Sequence, residues 1–126
     1  MNKIYRTVLA ISCALTLGVL SAGRVLAETQ VFLNDVTIDG KHVDRCIASY
    51  RFPSACSEAA TKLAANKFCE KMGYRYASKW SWHNRRNAAD VESVWKYTEE
   101  YRDGELWSGW KITEGSWLFE TIVCER

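Results

Sequence analysis

The 126 residues carry 17 Lys and Arg against 15 Asp and Glu, five cysteines and six tryptophans, with 48% of positions hydrophobic. Three basic residues and no acid fall within positions 1–27, so the remainder holds 14 basic and 15 acidic side chains, a formal charge of −1. That balance argues against nucleic-acid binding, which wants a net basic domain, and 99 residues suffice for one hydrophobic core but not two.

Residues 1–27 read as a cleavable export signal. NKIYR gives a positive start, TVLAISCALTLGVLSA is apolar but too short and wrongly flanked for a membrane span, and Val25-Leu26-Ala27 offers small residues where a signal peptidase cuts. Cleavage after Ala27 places residues 28–126 in a secreted or periplasmic setting as a single domain. Cys13 leaves with the signal. Cys46, Cys56, Cys69 and Cys124 remain, and an even count in a short exported chain reads as two disulfides. A zinc site would want C-x-x-C pairs, of which there are none.

VTI-DG-KHV (36–43) predicts a hairpin around Asp39-Gly40, pairing Val36 with Val43. Continuing that register would set Asp35 beside Asp44, like charges that oppose it. ACSEAATKLAANKFCEKM (55–72) predicts a helix. Ser54 or Ser57 caps it, Glu58 sits in the first turn, Gly73 stops it, and Ala60, Leu63, Ala64, Phe68 and Met72 form its apolar stripe. Lys62, Lys67 and Lys71 lie largely outside the stripe. Cys56 and Cys69 would stand about 19 Å apart along such a helix, which excludes bridging them to each other. Two connectivities remain. Cys46–Cys56 with Cys69–Cys124 closes one small loop and ties the helix end to the last strand, and is preferred over Cys46–Cys69 with Cys56–Cys124.

After the helix the period becomes two, with Tyr74, Tyr76, Ser78, Trp80 and Trp82 alternating against Arg75, Ala77, Lys79, Ser81 and His83. Residues 83–92 read as a polar loop. VWKYTEEYR-DG-ELWSGWKI then predicts a second hairpin, turning at Asp103-Gly104 and pairing Tyr101 with Leu106, Tyr97 with Trp110 and Trp95 with Ile112. A further turn at Glu114-Gly115 extends this to a meander that sets Trp117, Phe119 and Val123 on the Trp95 face and Trp107, Leu118, Ile122 and Cys124 on the other. The expected fold is α+β: a β-hairpin, one helix disulfide-tied to an antiparallel sheet, and a β-meander.

The segments IDGKHVDRCI, PSACSEAATKLAANKFCEKMGYRYASKW and FETIVCER resemble a group of small, uncharacterised exported domains. Val43-Asp44-Arg45-Cys46, Cys56, Phe68-Cys69, Gly73-Tyr74, Ala77, Trp80 and Cys124 stand at the places of their shared pattern. The chain lacks additional cysteines of that group before the last strand. The likeness implies fold and export, and no activity. EAATKLAANKFCEKMGYRYAS with the ending IVCER is also similar to the helix and last strand of C-type lectin domains, whose helix cysteine bonds the last-strand cysteine. That implies Cys69–Cys124. The inner cysteine pair and the Trp-Asn-Asp and Glu-Pro-Asn motifs are missing, so calcium-dependent sugar binding does not carry over.

Enzyme signatures are thin. His42 and His83 are the two histidines; His83 has Ser81, Asp90 and Glu92 near it in sequence but no nucleophile motif. Glu99 and Glu100 fall on opposite strand faces and cannot share a substrate. Neither catalysis nor a cofactor or metal is expected. Charge is uneven: seven basic residues and one acid from Lys62 to Arg86, then six acids against Lys96 and Arg102 from Asp90 to Glu105. The expected function is a non-catalytic exported binding module for a glycan or cell-envelope polymer. Trp80, Trp82, Trp95, Tyr97, Trp107 and Trp110 would stack on it, with Arg85 and Arg86 on anionic groups. The alternative is an inhibitor or immunity-type protein that inserts the 83–92 loop into an envelope enzyme.

Overall fold

A computed structural model describes residues 28–84 and 92–126; residues 1–27, read above as an export signal, and residues 85–91 lie outside the described residues. The chain is α+β. In order it forms β1 (Thr29–Leu33), β2 (Thr37–Ile38), β3 (Lys41–His42), β4 (Ala48–Ser49), α1 (Glu58–Lys71), β5 (Tyr76–Asn84), β6 (Glu92–Arg102), β7 (Glu105–Gly115) and β8 (Trp117–Glu125).

Helix α1 forms where alanine, leucine and straight-chain residues concentrate without Gly or Pro. Ser57 caps it, its Oγ accepting the Ala60 N–H at 3.1 Å, and Gly73 (φ +95°) supplies the left-handed stop, after which the Tyr74 N–H returns to the Cys69 carbonyl. Its inward face buries Ala60, Thr61, Ala64, Ala65, Phe68 and Cys69, with Leu63 and Met72 half-buried beside them. Two disulfides close, Cys46–Cys56 and Cys69–Cys124, as preferred from the sequence; the second ties the end of α1 to β8.

Both Asp-Gly hairpins form. Asp39 and Gly40 take φ of +50° and +80°, and Asp103 and Gly104 take +52° and +83°, the paired positive values of a tight hairpin turn. β6 and β7 pair without a bulge in the expected register, Trp95 with Ile112, Tyr97 with Trp110 and Tyr101 with Leu106. The short hairpin β2–β3 stops before the Asp35–Asp44 conflict. The Val43 N–H reaches the Val36 carbonyl, and residues 43–45 then leave the hairpin to stitch two sheets together. Val43 bridges Trp95, Asp44 bridges Leu118, and the Arg45 N–H reaches the Trp117 carbonyl.

The meander does not continue. β8 pairs with β1 and β5 in a sheet of order β1-β8-β5, while β7 stays in a separate sheet of order β4-β6-β7. Gly115 has no positive φ and marks close packing instead of a turn. A Cβ there would lie 2.3 Å from Asp44 Oδ2 and 2.9 Å from Val94 Cγ2. β8 is too apolar for an edge: Leu118, Phe119, Ile122 and Cys124 are all buried. It takes a central place, so Trp117, Phe119 and Val123 do not join the Trp95 face. Two register shifts along β5–β8, at Ala77/Lys79 and Ser81/Trp82, break the simple alternation. They bring Ala77 opposite Cys124 and Trp80 opposite Ile122 on the covered side. β1, an exposed edge, has no counterpart among the elements expected from the sequence.

Candidate functional site

The aromatic residues chosen from the sequence lie in different places. Trp95, Tyr97 and Trp110 share one face of β6–β7 and turn toward the core. Trp95 Nε1 donates to the Ile38 carbonyl at 2.7 Å, Tyr97 is 6% exposed, and Trp110 meets Tyr97 edge-on with centroids 5.4 Å apart. Trp80 packs half-buried against the core. Trp82 is half-buried beneath the Arg45 guanidinium, 4.2 Å from its ring centroid. Trp107 lies on the opposite face of β7, covered by Arg102 at 3.7 Å. No described tryptophan is fully exposed. Arg85, Arg86 and most of the 83–92 loop lie outside the described residues.

Three tyrosines are exposed among the described residues: Tyr76 stands alone on β5, and Tyr50 and Tyr101 pair near the tip of the β6–β7 hairpin. β4 pairs in parallel with β6, Ala48 beside Thr98 and Ser49 beside Glu99, and this delivers the next two residues, Tyr50 and Arg51, to the tip. The rings of Tyr50 and Tyr101 stand 5.2 Å apart at 46°, and the residues are 57% and 62% exposed. Hydrogen bonding to Tyr101 is the main reason the Tyr50 hydroxyl is held above its ordinary pKa, with desolvation second. Beneath them Arg51 grips Glu99 as a fork, Nε to Oε1 and Nη2 to Oε2, both 2.8 Å, while Ser49 Oγ donates to Oε1 at 2.6 Å. These bonds hold the Glu99 carboxyl below its ordinary range, the Arg51 hydrogen bond contributing most. The tip is a hydrogen-bonded polar clamp carrying two open tyrosine rings. Sequence reasoning missed Tyr50 and Arg51 because they sit between a two-residue strand and a loop, where no hydrophobic period operates; what made them neighbours of Tyr101 is the parallel β4–β6 pairing.

On the reverse of the hairpin lies a shallow depression of about 250 Å³, lined by Ala48, Lys96, Thr98, Glu100, Lys111, Ile112 and Thr113. Its charges are already matched. Glu100 receives Arg102 Nε at 2.6 Å and Lys111 Nζ at 3.4 Å, and Lys96 Nζ lies 3.9 Å from Asp44 Oδ2. Asp44 is wholly buried. Its Oδ1 accepts the Cys46 N–H at 2.8 Å, whereas Oδ2 has no hydrogen bond, and burial pushes its pKa up. Arg45 Nη1 donates to the Cys56 carbonyl and to Thr61 Oγ1, both at 2.8 Å. The Val-Asp-Arg-Cys segment is thus a joint that locks β8, β6 and α1, and its polar groups serve packing.

His42 Nδ1 is 2.8 Å from Glu92 Oε2, both partly exposed. The four cysteines of residues 28–126 are paired, so no thiol is offered as a nucleophile. No cluster of three or more metal-ligating side chains occurs among the described residues, and no described helix is long and apolar enough to cross a membrane. Comparison with protein-family models, with curated proteins and with solved structures finds no match to the chain.

Proposed function

We propose that residues 28–126 are a non-catalytic binding module of the exported compartment, delivered there by the signal at 1–27, and that it grips a protein partner with the hairpin tip. The observation that carries this reading is the Tyr50–Tyr101 pair: two open rings on a clamp of Ser49, Arg51 and Glu99. Tyr and Arg are the side chains that concentrate binding energy in protein interfaces. A clamp whose hydrogen bonds are already made costs little ordering on association. The stacking surface for a glycan is less well supported, because Trp95, Tyr97 and Trp110 face inward and Trp107 is covered by Arg102.

The test is retention of envelope proteins on the immobilised oxidised protein, compared with Tyr50→Ala/Tyr101→Ala. The expected result is one protein retained with saturable affinity by the wild type and bound at least about tenfold more weakly by the variant. Both rings are exposed, so the variant should keep the native circular dichroism spectrum. If the wild type instead co-sediments with insoluble cell-wall polymer, and the same double substitution abolishes that, the partner is a glycan and the protein reading fails.

A further inference from the structure

The sheet edges of this molecule are not alike. β5 is interrupted by two register shifts and carries exposed Lys79. β1 has five residues and β4 two. Short strands, bulges and lysines are how proteins block edge-to-edge pairing. β7 has none of the first two: it runs eleven residues beside β6 without a bulge, contains no proline, and its single lysine, Lys111, is drawn to Glu100. It also exposes Leu106 (53%) and Ile112 (51%).

The hydrogen-bonding phase of that edge follows from the turn. In a two-residue hairpin the flanking pair, here Arg102 and Glu105, exchanges both backbone hydrogen bonds. The odd-numbered residues of β7 therefore bond to β6, while Leu106, Ser108, Trp110, Ile112 and Glu114 direct N–H and C=O outward. The Asp44 N–H bonded to the Trp95 carbonyl at 2.9 Å agrees: Trp95 turns its carbonyl away from β7, as the partner of outward-facing Ile112 must.

Leu106 and Ile112 lie on one face of β7, equidistant from Gly109. We infer that β7 pairs antiparallel with β7 of a second copy of this chain about a two-fold axis at Gly109. In that register Leu106 of each copy meets Ile112 of the other, twice over. Ser108 meets Trp110, Trp107 meets Lys111, Glu105 meets Thr113, and no like charges are opposed. The outward groups of Leu106, Ser108, Trp110 and Ile112 close about eight intermolecular hydrogen bonds. Sliding by two residues toward the strand end, to an axis at Trp110, would set Leu106 against Glu114 and Ile112 against Ser108 and lose the apolar match. Sliding by four, to an axis at Lys111, would set Lys111 against itself. A dyad normal to the sheet keeps the same face up in both copies, so the two sheets become one of six strands, and both Tyr50–Tyr101 tips stay open.

Sedimentation velocity of the oxidised protein from micromolar to several hundred micromolar tests the inference, with Leu106→Lys, Ile112→Glu and the double variant. Both sites are exposed, so these changes spare the core. The wild type is expected to be a dimer, each single variant to dissociate about tenfold or more readily, and the double variant to dimerise again, since Lys at 106 then meets Glu at 112 across the axis. A wild type monomeric throughout overturns the proposal, as does a dimer insensitive to the single changes. Dissociation by both single changes without rescue in the double overturns the axis at Gly109. Tyr50→Ala/Tyr101→Ala should leave the dimer intact while weakening partner binding, which separates this inference from the tip reading.

Discussion

A methyl group at position 115 has nowhere to go. Its Cβ would sit 2.3 Å from Asp44 Oδ2 and 2.9 Å from Val94 Cγ2, and the Asp44 carboxylate cannot swing aside without releasing the Cys46 N–H from Oδ1. Gly115→Ala is expected to destabilise by about 1–3 kcal/mol, the usual cost of overpacking a filled site. The denaturant midpoint of Gly115→Ala/Asp44→Ala should exceed the additive expectation, because the second change vacates the space the first needs; strict additivity would refute the clash. Glu99 gives a pH signature. Its folded-state pKa lies below the ordinary 4.5, so its contribution to stability is full above that value and is lost as pH falls through the lowered native one. Glu99→Gln should therefore unfold at lower denaturant than wild type at pH 7, with the gap closing below about pH 4. A gap unchanged down to pH 2.5 would rule out the ionised Arg51 clamp as its source. Asp44 runs the other way: with its native pKa raised by burial, acidification through that pKa relieves a cost.

At the scale of elements, what could be read from the chain was whatever local chemistry constrains. The β6–β7 register was legible because the Asp103-Gly104 turn needs two positive φ values and every pair counted outward from it agrees. Helix α1 was legible from its cap, composition and stop. The partner of β8 was not, because its place between β1 and β5 is set by long-range burial and by Cys69–Cys124, which a count from the Glu114-Gly115 pair cannot register. Glycine in that pair looked like a turn and proved to be a close approach. The bulges of β5 were invisible for the same reason: they exist to match β8. The disulfides differ in what they hold. Cys46–Cys56 spans 10 residues and Cys69–Cys124 spans 55, so on the chain-entropy model they contribute about 3 and 4 kcal/mol. Replacing Cys69 and Cys124 by alanine should lower the denaturant midpoint more than replacing Cys46 and Cys56. The reverse order would mean that the 43–46 joint, and not the helix–β8 tie, is the weak point of the domain.

Across the whole molecule, the candidate site was only partly legible. Composition pointed to aromatics as the binding chemistry, but Trp and Tyr on a strand serve core and surface equally well until the sheet that covers them is known. Trp95, Tyr97 and Trp110 were claimed by the core, and the open rings came from Tyr50 and Tyr101, some fifty residues apart, joined by a two-residue parallel pairing. The pairing of β1 with β8 has a mechanical consequence. Glu28 and Arg126 lie side by side, bonded through backbone and side chain, so tension applied between them peels the two strands like a zipper, one bond at a time. That peeling reaches Cys124 almost at once. From there the covalent path of force runs from Glu28 to Cys46, across to Cys56, along α1 to Cys69, and across to Cys124. Residues 70–123, including the whole β6–β7 hairpin, hang outside the loaded path. A pull on the ends of the oxidised domain therefore strains the helix and the 43–46 joint, while the tip that would hold a partner bears none of the load through its own backbone.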